Sequence, residues 1–379
     1  RYSQHLLEEL QGLDKKNEYF IFLQKKNFDL FSPQASNFKK VLVDAPIYSF
    51  KEQLFVLLKL LKIRPDLVHF PHFNFPILYP GKFVVTIHDL IVSDFGGAKA
   101  SEQSRASFGG TGVTTRPKPL YWIKRLGYHL VINQAVKRAR RILTPSDYVK
   151  NRIVAEFKVP QEKVVVTWEA ADLLPSKARS AEEAGVENIL GRLGLEKPFF
   201  LYVGNVYPHK NVSRLIEALV ILNSSRARIA RGGVGLVVVG AKDVFKKRLE
   251  REITEKGALK YVTLTDYVTD AALIDLYRQA EAYVHPSLSE GFGLPPVEAM
   301  SLGTPVVEAR ASALPEVGGD AAIYFDPFDP EDIADKLGEI LGNEALRQKL
   351  AKKGRARAEK FSWRRMAEQT LKAYESAIS

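Results

Sequence analysis

Twelve short runs of β-branched and aromatic residues, separated by helix-like segments, limit the fold more than any other feature of this chain. In the first half they are Tyr19–Leu23, Lys40–Val43, Asp66–Phe70, Lys82–Ile87, Arg141–Thr144 and Lys163–Thr167. In the second half they are Phe199–Gly204, Val234–Gly240, Tyr261–Thr265, Ala282–His285, Pro305–Ala309 and Ala321–Phe325. Most are unbroken apolar runs rather than alternating ones, the pattern of strands covered on both faces. Strand–helix alternation along the whole length predicts an α/β chain with parallel sheets. One stretch, 174–197, carries no strand and is rich in small and charged residues. It predicts two doubly wound, Rossmann-like domains facing a cleft: 1–173, then 174–197 as a linker, then 198–361. The segment 362–379, with Ser362 placed to cap an amphipathic helix, closes the chain.

Composition narrows the chemistry. The 379 residues include no cysteine, which excludes thiol nucleophiles, Cys-ligated zinc, iron–sulfur clusters and disulfides. With 46% hydrophobic and 26% charged residues the chain is neither disordered nor a small stapled scaffold. Its richest apolar stretch, Leu54–Ile63, contains two lysines and is about half a membrane span, so no transmembrane helix is expected. The opening RYSQHLLEEL reads as a helix already under way, so a segment before Arg1 is expected.

Charge is uneven. Residues 1–180 hold 28 Lys and Arg against 16 Asp and Glu, a net of +12, while the remaining 199 residues sum to −1. A basic half suits a polyanionic partner, either anionic headgroups or a phosphorylated substrate; the competing reading is an uneven solubility charge. No nucleic-acid-binding motif is present, and none is expected as a partner. The segment Pro119–Arg141 interleaves Lys124, Arg125, Lys137, Arg138, Arg140 and Arg141 with Tyr121, Trp122 and Tyr128. It reads either as a membrane-facing helix or as a solvated one whose apolar side (Ile123, Leu126, Leu130, Val131) is core. The Gly- and Ser-rich stretch Ser93–Pro119 follows a strand end and reads as a lid over a ligand site.

The most informative string is HPSLSEGFGLPPVEAMSLGTPVV, His285–Val307. A strand runs into the turn Gly291-Phe292-Gly293, and Pro295-Pro296 then suit the start of a helix. Free backbone N–H groups at Gly291, Phe292, Gly293 and Leu294 make an anion site. Glu290 and Glu298 flank it, eight residues apart. Carboxylates repel phosphate, so they suit sugar hydroxyls; an acid/base pair of a glycoside hydrolase, or plain solvated charges, are the competing readings. Lys210, six residues past a strand, can reach a diphosphate as a point charge. His88 and Asp89 sit at a strand's C-terminal end, the ligand edge of an open α/β sheet, as a base with its orienting carboxylate or as the start of a loop. His69 and His72 lie close by in sequence, but their spacing fits no metal pair, and no metal is expected.

The His285–Val307 string resembles the Glu-x7-Glu signature of the retaining glycosyltransferases of family 4, which have the GT-B fold. TIHDL (Thr86–Leu90), TPSDYVKNRI (Thr144–Ile153), LYVGNVYPHKN (Leu201–Asn211), DYVTDAALIDLYRQA (Asp266–Ala280) and LPEVGGDAAIYFDP (Leu314–Pro327) match in order. The chain is most similar to the mannosyltransferase-like branch that builds bacterial surface polysaccharide. The resemblance implies that the first domain takes the acceptor and the second the nucleotide sugar. It also implies that the last helix crosses back to the first domain, and that the family's first strand and Gly-rich turn precede Arg1. It assigns Glu290 to sugar hydroxyls, Glu298 to the ribose, and Lys210 with the 291–294 backbone to the diphosphate. Asn205 stands where most of the family has arginine, which shifts weight onto Lys210 and His209. Tyr267 and Val268 lie near the nucleotide base, with Asp266 in the place of the usual glycine. His88 reaches the donor sugar from the first domain, while His69 and His72 line the acceptor side. The implied activity is hexose transfer, best matched by mannose from GDP-mannose, to a glycan or lipid-linked acceptor. The nucleotide-diphosphate sugar is a co-substrate, no cofactor is needed, and the setting is cytoplasmic, peripheral on the membrane's inner face. A non-catalytic nucleotide-sugar-binding protein or an inactive fragment is the alternative.

Overall fold

A computed structural model describes residues 1–91, 118–172, 189–225, 233–240 and 245–379. All twelve expected strands form, each within two residues of its predicted ends. The described residues divide into two compact units. One comprises 1–90, 118–169 and 362–379; the other takes in Ile91 and the described residues of 170–361. The expected lid falls largely on residues 92–117 and the first part of the expected linker on 173–188, both outside the described residues.

The first unit holds two parallel sheets. Strand β1 (Tyr19–Leu23) pairs with β2 (Phe38–Leu42), Tyr19 opposite Phe38. Strands β3 (Val68–Phe70), β4 (Phe83–Thr86), β5 (Arg141–Thr144) and β6 (Val164–Val166) form the second sheet in that order. Phe70, Phe75 and Phe83 pack as an aromatic cluster over it, with Ile132, Val136, Ile142 and Ile153 completing the core. The guanidinium of Arg138 sits over the Phe75 and Phe83 rings and donates to the Ile77 and Tyr79 carbonyls. That basic residue is therefore part of the packing, its stem and planar head covering apolar surface.

The helix Lys118–Arg138 turns Ile132, Ala135 and Val136 inward, whereas Leu126 and Leu130 are exposed. Of the two readings of this helix, the one that makes its apolar side core holds for Val131, which packs against the core, and not for Leu126 and Leu130. The buried stripe is set by the last three turns, where small and β-branched residues approach the sheet closely. Side chains 118–125 lie outside the described residues.

Two helices from opposite ends of the chain meet in this unit. Ser362 caps the helix Trp363–Ile378 by accepting from the Arg365 amide, and that helix packs on Tyr2–Leu13 and on β4 and β5. Trp363 stacks on His5 with ring centroids 4.6 Å apart. A buried polar knot fastens the pair: the Tyr2 hydroxyl meets Thr86 Oγ1 at 3.0 Å, and His69 bridges Thr86 Oγ1 and the Tyr374 hydroxyl at 2.8 and 2.6 Å.

The second unit is one six-stranded parallel sheet. Its strands are β7 (Phe199–Val203), β8 (Gly235–Val239), β9 (Val262–Thr265), β10 (Ala282–His285), β11 (Val306–Ala309) and β12 (Ala322–Phe325). Their spatial order is β9-β8-β7-β10-β11-β12. The chain winds outward from β7 to one edge, then returns to lay β10 on the other side of β7. That reversal makes the gap between the ends of β7 and β10 a topological switch point, where open α/β sheets leave room for a ligand. Phe200, Tyr202, Leu219, Leu236, Val284, Val307 and Ile333 fill the core on one face. Part of the expected linker belongs here: Ile189–Leu193 is a short helix, with Ile189 buried, packed against the helix Asp270–Gln279. Its apolar residues find a covering surface, which a free linker lacks.

Candidate active site

Two loops leave the sheet at the switch point. After β7 the chain passes Gly204 and Asn205, makes a short 3-10 turn at Pro208–Lys210, and enters the helix Val212–Ser224. Asn211, in the left-handed region at φ 59°, is buried and donates from Nδ2 to the carbonyls of Pro286 and Pro327. The Leu288 amide donates to the His209 carbonyl at 2.8 Å. These bonds hold the loop after β7 against the loop after β10, and so bring Lys210 and Glu290 together although 80 residues separate them.

The second loop runs from β10 through Glu290 and Gly291 to the helix Leu294–Leu302. Gly293 has φ 96°, and a Cβ there would come within 2.9 Å of Leu314, so the turn requires glycine. Pro295 and Pro296 occupy the first turn and carry no N–H. The amides of Phe292, Gly293 and Leu294 donate to no described residue. The open amides thus lie in the turn and at the first helical residue, ahead of the two prolines.

Glu290 is the centre of the cluster. Its Oε1 accepts from Lys210 Nζ at 2.5 Å and from His285 Nε2 at 2.8 Å, while its amide donates to Ser312 Oγ at 2.9 Å. Oε2 bonds to no described residue. Burial alone would raise the Glu290 carboxyl; the Lys210 ammonium and the His285 N–H outweigh it and hold the group well below the ordinary carboxylate range. Burial pushes His285 down despite the carboxylate beside it. The neutral ring then donates from Nε2 and accepts at Nδ1 from the Tyr283 hydroxyl, 2.7 Å away. A line of four groups results: Tyr283, His285, Glu290 and Lys210. Tyr283 is raised far above its ordinary value by burial and by neighbours that include Glu290 and Glu298.

Other expected residues fall around this line. Glu298 lies on the helix Leu294–Leu302, 1% exposed, within the electrostatic reach of Tyr283. Asn205 lies in the loop with its side-chain oxygen buried and without a hydrogen-bond partner. His209 is pushed down to about 4 by burial and then by Lys210, so it adds no positive charge at neutral pH. Phe292 points inward, edge-on to Phe361, and contributes its backbone alone. Tyr267 is 82% exposed and Val268 follows it, both past the end of β9, which β8 separates from β7. They are not gathered into the cluster. Asp266 beside them pairs with Lys246 at 2.5 Å.

In the first unit His88 sits past β4, with Nδ1 3.0 Å from Glu169 Oε1 and Nε2 3.0 Å from the Pro71 carbonyl. Burial works against its charge, but Glu169 and the carbonyl outweigh it and raise the histidine. His69 is committed to Thr86 and Tyr374, and burial lowers it to about 3. Both of its ring nitrogens are thus used inside the unit. His72 is exposed, its Nδ1 3.5 Å from the Tyr48 hydroxyl.

The sequence reading passed over Tyr283, His285, Ser312, Glu169 and Glu308. Two of these carried a signal: Tyr283 and His285 are spaced by two at the end of a buried strand, hence on one face, at the ligand edge. Glu308 sits opposite His285 in the sheet register and is fully buried, with the Tyr324 hydroxyl beside its carboxyl. Burial pushes that carboxyl well above the ordinary range against the Tyr324 bond, and Glu290 adds to the rise. Among the described residues no three acidic or histidine groups converge as a metal site.

Comparison with known proteins settles the family. The model of glycosyltransferase family 4 matches residues 3–173, and that of the glycosyl transferases group 1 matches residues 189–357. The chain belongs to glycosyltransferase family 4. This glycosyltransferase is 34% identical over 250 residues to O-antigen chain mannosyltransferase B of Escherichia coli, covering 64% of this chain and 62% of that one. It spans 55 to 62% of the length of such curated relatives. Its fold is GT-B, two Rossmann-like units. It resembles sucrose-phosphate synthase from Thermosynechococcus elongatus with a TM-score of 0.72 at 20% identity, over 99% of this chain and 92% of that one. It also resembles Anabaena Alr3699/HepE in complex with UDP and glucose, with a TM-score of 0.68 at 17% identity, over 99% and 95% of the two chains.

Proposed function

We propose that this glycosyltransferase is a retaining, metal-independent hexosyltransferase that moves mannose from GDP-mannose to a glycan or lipid-linked acceptor at the cytoplasmic membrane surface. One observation carries the site assignment: a carboxylate, Glu290, has one oxygen bonded to an ammonium and an imidazole and the other unbonded by any described residue, beside three undonated amides. The free oxygen suits a sugar hydroxyl. The amides and the remaining N–H groups of Lys210 suit phosphate oxygens, which gain charge as the nucleotide leaves. These groups supply the positive environment that a metal ion would otherwise provide.

Each part has a task in this reading. Glu290 orients the hexose, and its bond to Lys210 fixes the ammonium where the leaving diphosphate develops. Glu298 takes the ribose, and His88 keeps the donor-sugar role that the family resemblance gives it. No side chain is placed as a nucleophile. The leaving phosphate assists deprotonation of the acceptor hydroxyl on the same face, which retains configuration. Mannose as the sugar rests on likeness to the mannosyltransferase above, and a nucleotide-sugar donor also on the UDP complex of the structural neighbour.

The test is transfer from GDP-mannose to a mannose-terminated glycan, with the product anomer read by NMR. An α-linked product and loss of turnover in Glu290→Gln support the reading. Nucleotide-sugar binding without any product would make the chain a binding protein, and an inverted anomer would overturn the retaining assignment.

A further inference from the structure

We propose that Tyr324 is a positioning residue for the loop Glu290–Leu294: with the Glu308 carboxyl behind it, its hydroxyl fixes the end of the short helix Leu314–Gly318, and that segment in turn backs the loop. The segment meets the loop twice. Ser312, just ahead of the helix, accepts from the Glu290 amide at 2.9 Å although its φ of 52° lies in the left-handed region. Leu314, the first helical residue, lies so close to Gly293 that a Cβ on the glycine would come within 2.9 Å of its side chain. Whatever holds residues 312–319 therefore holds the carboxylate and the open amides of the site. That these groups grip a donor rests on the function proposed above; the coupling itself does not.

The far end of the segment is held by polar groups. Arg357 donates to the Glu316 and Val317 carbonyls at 2.5 and 2.8 Å, and the Tyr324 hydroxyl donates to the Gly319 carbonyl at 2.7 Å. Tyr324 lies opposite Glu308 across β12 and β11, and Glu308 opposite His285 across β11 and β10, so the three side chains share one face of the sheet. Gly318 makes the room, since a Cβ there would overlap both the Glu308 carboxyl and the Tyr324 hydroxyl. A phenol has one proton, and here it goes to Gly319. Toward Glu308 the hydroxyl then offers only lone pairs, which a protonated carboxyl can use and a carboxylate cannot. The surroundings agree. Glu308 is fully buried, forms no ion pair among the described residues, and faces the Glu290 carboxylate and the neutral His285 ring. The nearby cations, Arg310 and Arg357, act on Tyr324 instead. An ionised Glu308 would draw the phenol proton to itself and leave Gly319 without its donor. The neutral acid thus keeps Tyr324 on the helix end.

The test first reads the full chain without substrate. Infrared spectra at neutral pH should show a protonated-carboxyl band that Glu308→Gln removes. In amide exchange, Tyr324→Phe should speed the Glu290 amide about tenfold, the worth of roughly one net hydrogen bond, while Val238 in β8 keeps its protection. Glu308→Gln, whose amide N–H can donate to the same hydroxyl, should change the Glu290 amide less than about threefold. With GDP-mannose, Tyr324→Phe should lower kcat about tenfold with the donor KM within about twofold, because the loop's amides act on charge that develops as the diphosphate leaves. No carboxyl band lost in Glu308→Gln, or Glu290 exchange unchanged in Tyr324→Phe, overturns the proposal. Exchange as expected but no transfer by the wild type supports the coupling and sinks the transferase reading instead. Should Tyr324→Phe fail to fold, Gly318→Ala gives the same readout: Gly318 has helical dihedrals, φ −71° and ψ −39°, that alanine adopts freely, and the added Cβ pushes into the Glu308–Tyr324 pair.

Discussion

His88 and His285 each face a glutamate, at 3.0 and 2.8 Å, yet they are driven in opposite directions. His88 is raised and His285 lowered. Both feel burial, which disfavours the imidazolium. At His88 the Glu169 carboxylate has no competing cation in a recorded bond, and the second ring nitrogen meets a carbonyl, so both nitrogens are served best as donors. At His285 the carboxylate is already engaged by Lys210, and the second nitrogen meets a hydroxyl that donates. A neighbouring carboxylate thus does not fix a histidine's charge; what else shares that carboxylate does. The first unit holds a histidine whose charged form is favoured, where the second holds a neutral relay behind an ion pair.

Removing Lys210 tests this contrast with the largest effect. Lys210→Met should cut turnover by about two to three orders of magnitude, the usual loss when one preorganised charge at a leaving group is deleted. It should also leave Glu290 to His285 alone, so His285 should move upward toward the behaviour of His88. Turnover near wild type would remove Lys210 from the chemistry. A His285 titration unchanged by NMR would show that burial, not the shared carboxylate, sets its state.

The pH dependence of stability should separate the pair next. His88 is raised, so its contribution is complete below the unfolded value of ~6.5 and is lost as pH climbs through its higher folded value. His285 is lowered, so its contribution is present above ~6.5 and declines as pH falls toward its folded value. Glu290 acts in the same sense at lower pH, being held below the unfolded carboxylate. Glu169→Gln should therefore flatten the alkaline side of a stability profile; with burial no longer outweighed, His88 should then lose stability on the acidic side, as His285 does. Its cost at neutral pH should be about 1 kcal/mol, since His88 remains partly solvated. An alkaline side unchanged in this variant would contradict the assignment.

Much of this was legible in the sequence because the cues were local. Unbroken runs such as Phe199–Val203 announced covered parallel strands, and Ser362 announced a helix start that the structure caps as expected. Gly291–Leu294 announced a tight turn between strand and helix. What sequence reading could not supply is pairing across distance. Glu169 reaches His88 over 81 positions and Lys210 reaches Glu290 over 80, and neither partner lies in a periodic pattern that points to the other. The helix Phe50–Ile63 shows the same limit from the other side. Its sequence marks it as the richest apolar stretch without saying which side is covered: Leu60 is buried, and Leu54 and Leu58 are left in solvent.

The smallest effect should come from Tyr283→Phe, and it sharpens the comparison most finely. The hydroxyl does not touch Glu290; it holds the proton of His285 on Nε2 by occupying Nδ1. Without it, Nδ1 faces a dry cavity wall and loses one buried hydrogen bond, a cost of about 1 kcal/mol. Glu290 keeps Lys210, so turnover should fall only a few-fold. The specific signature is in the ring. Nitrogen-detected NMR of the wild type should show a fixed Nε2–H tautomer at His285, and the variant should show a mixture, while the His88 signals stay the same in both. A His285 spectrum identical in the two proteins would mean that Glu290 alone selects the tautomer, and that Tyr283 serves only to fill space beneath the ion pair.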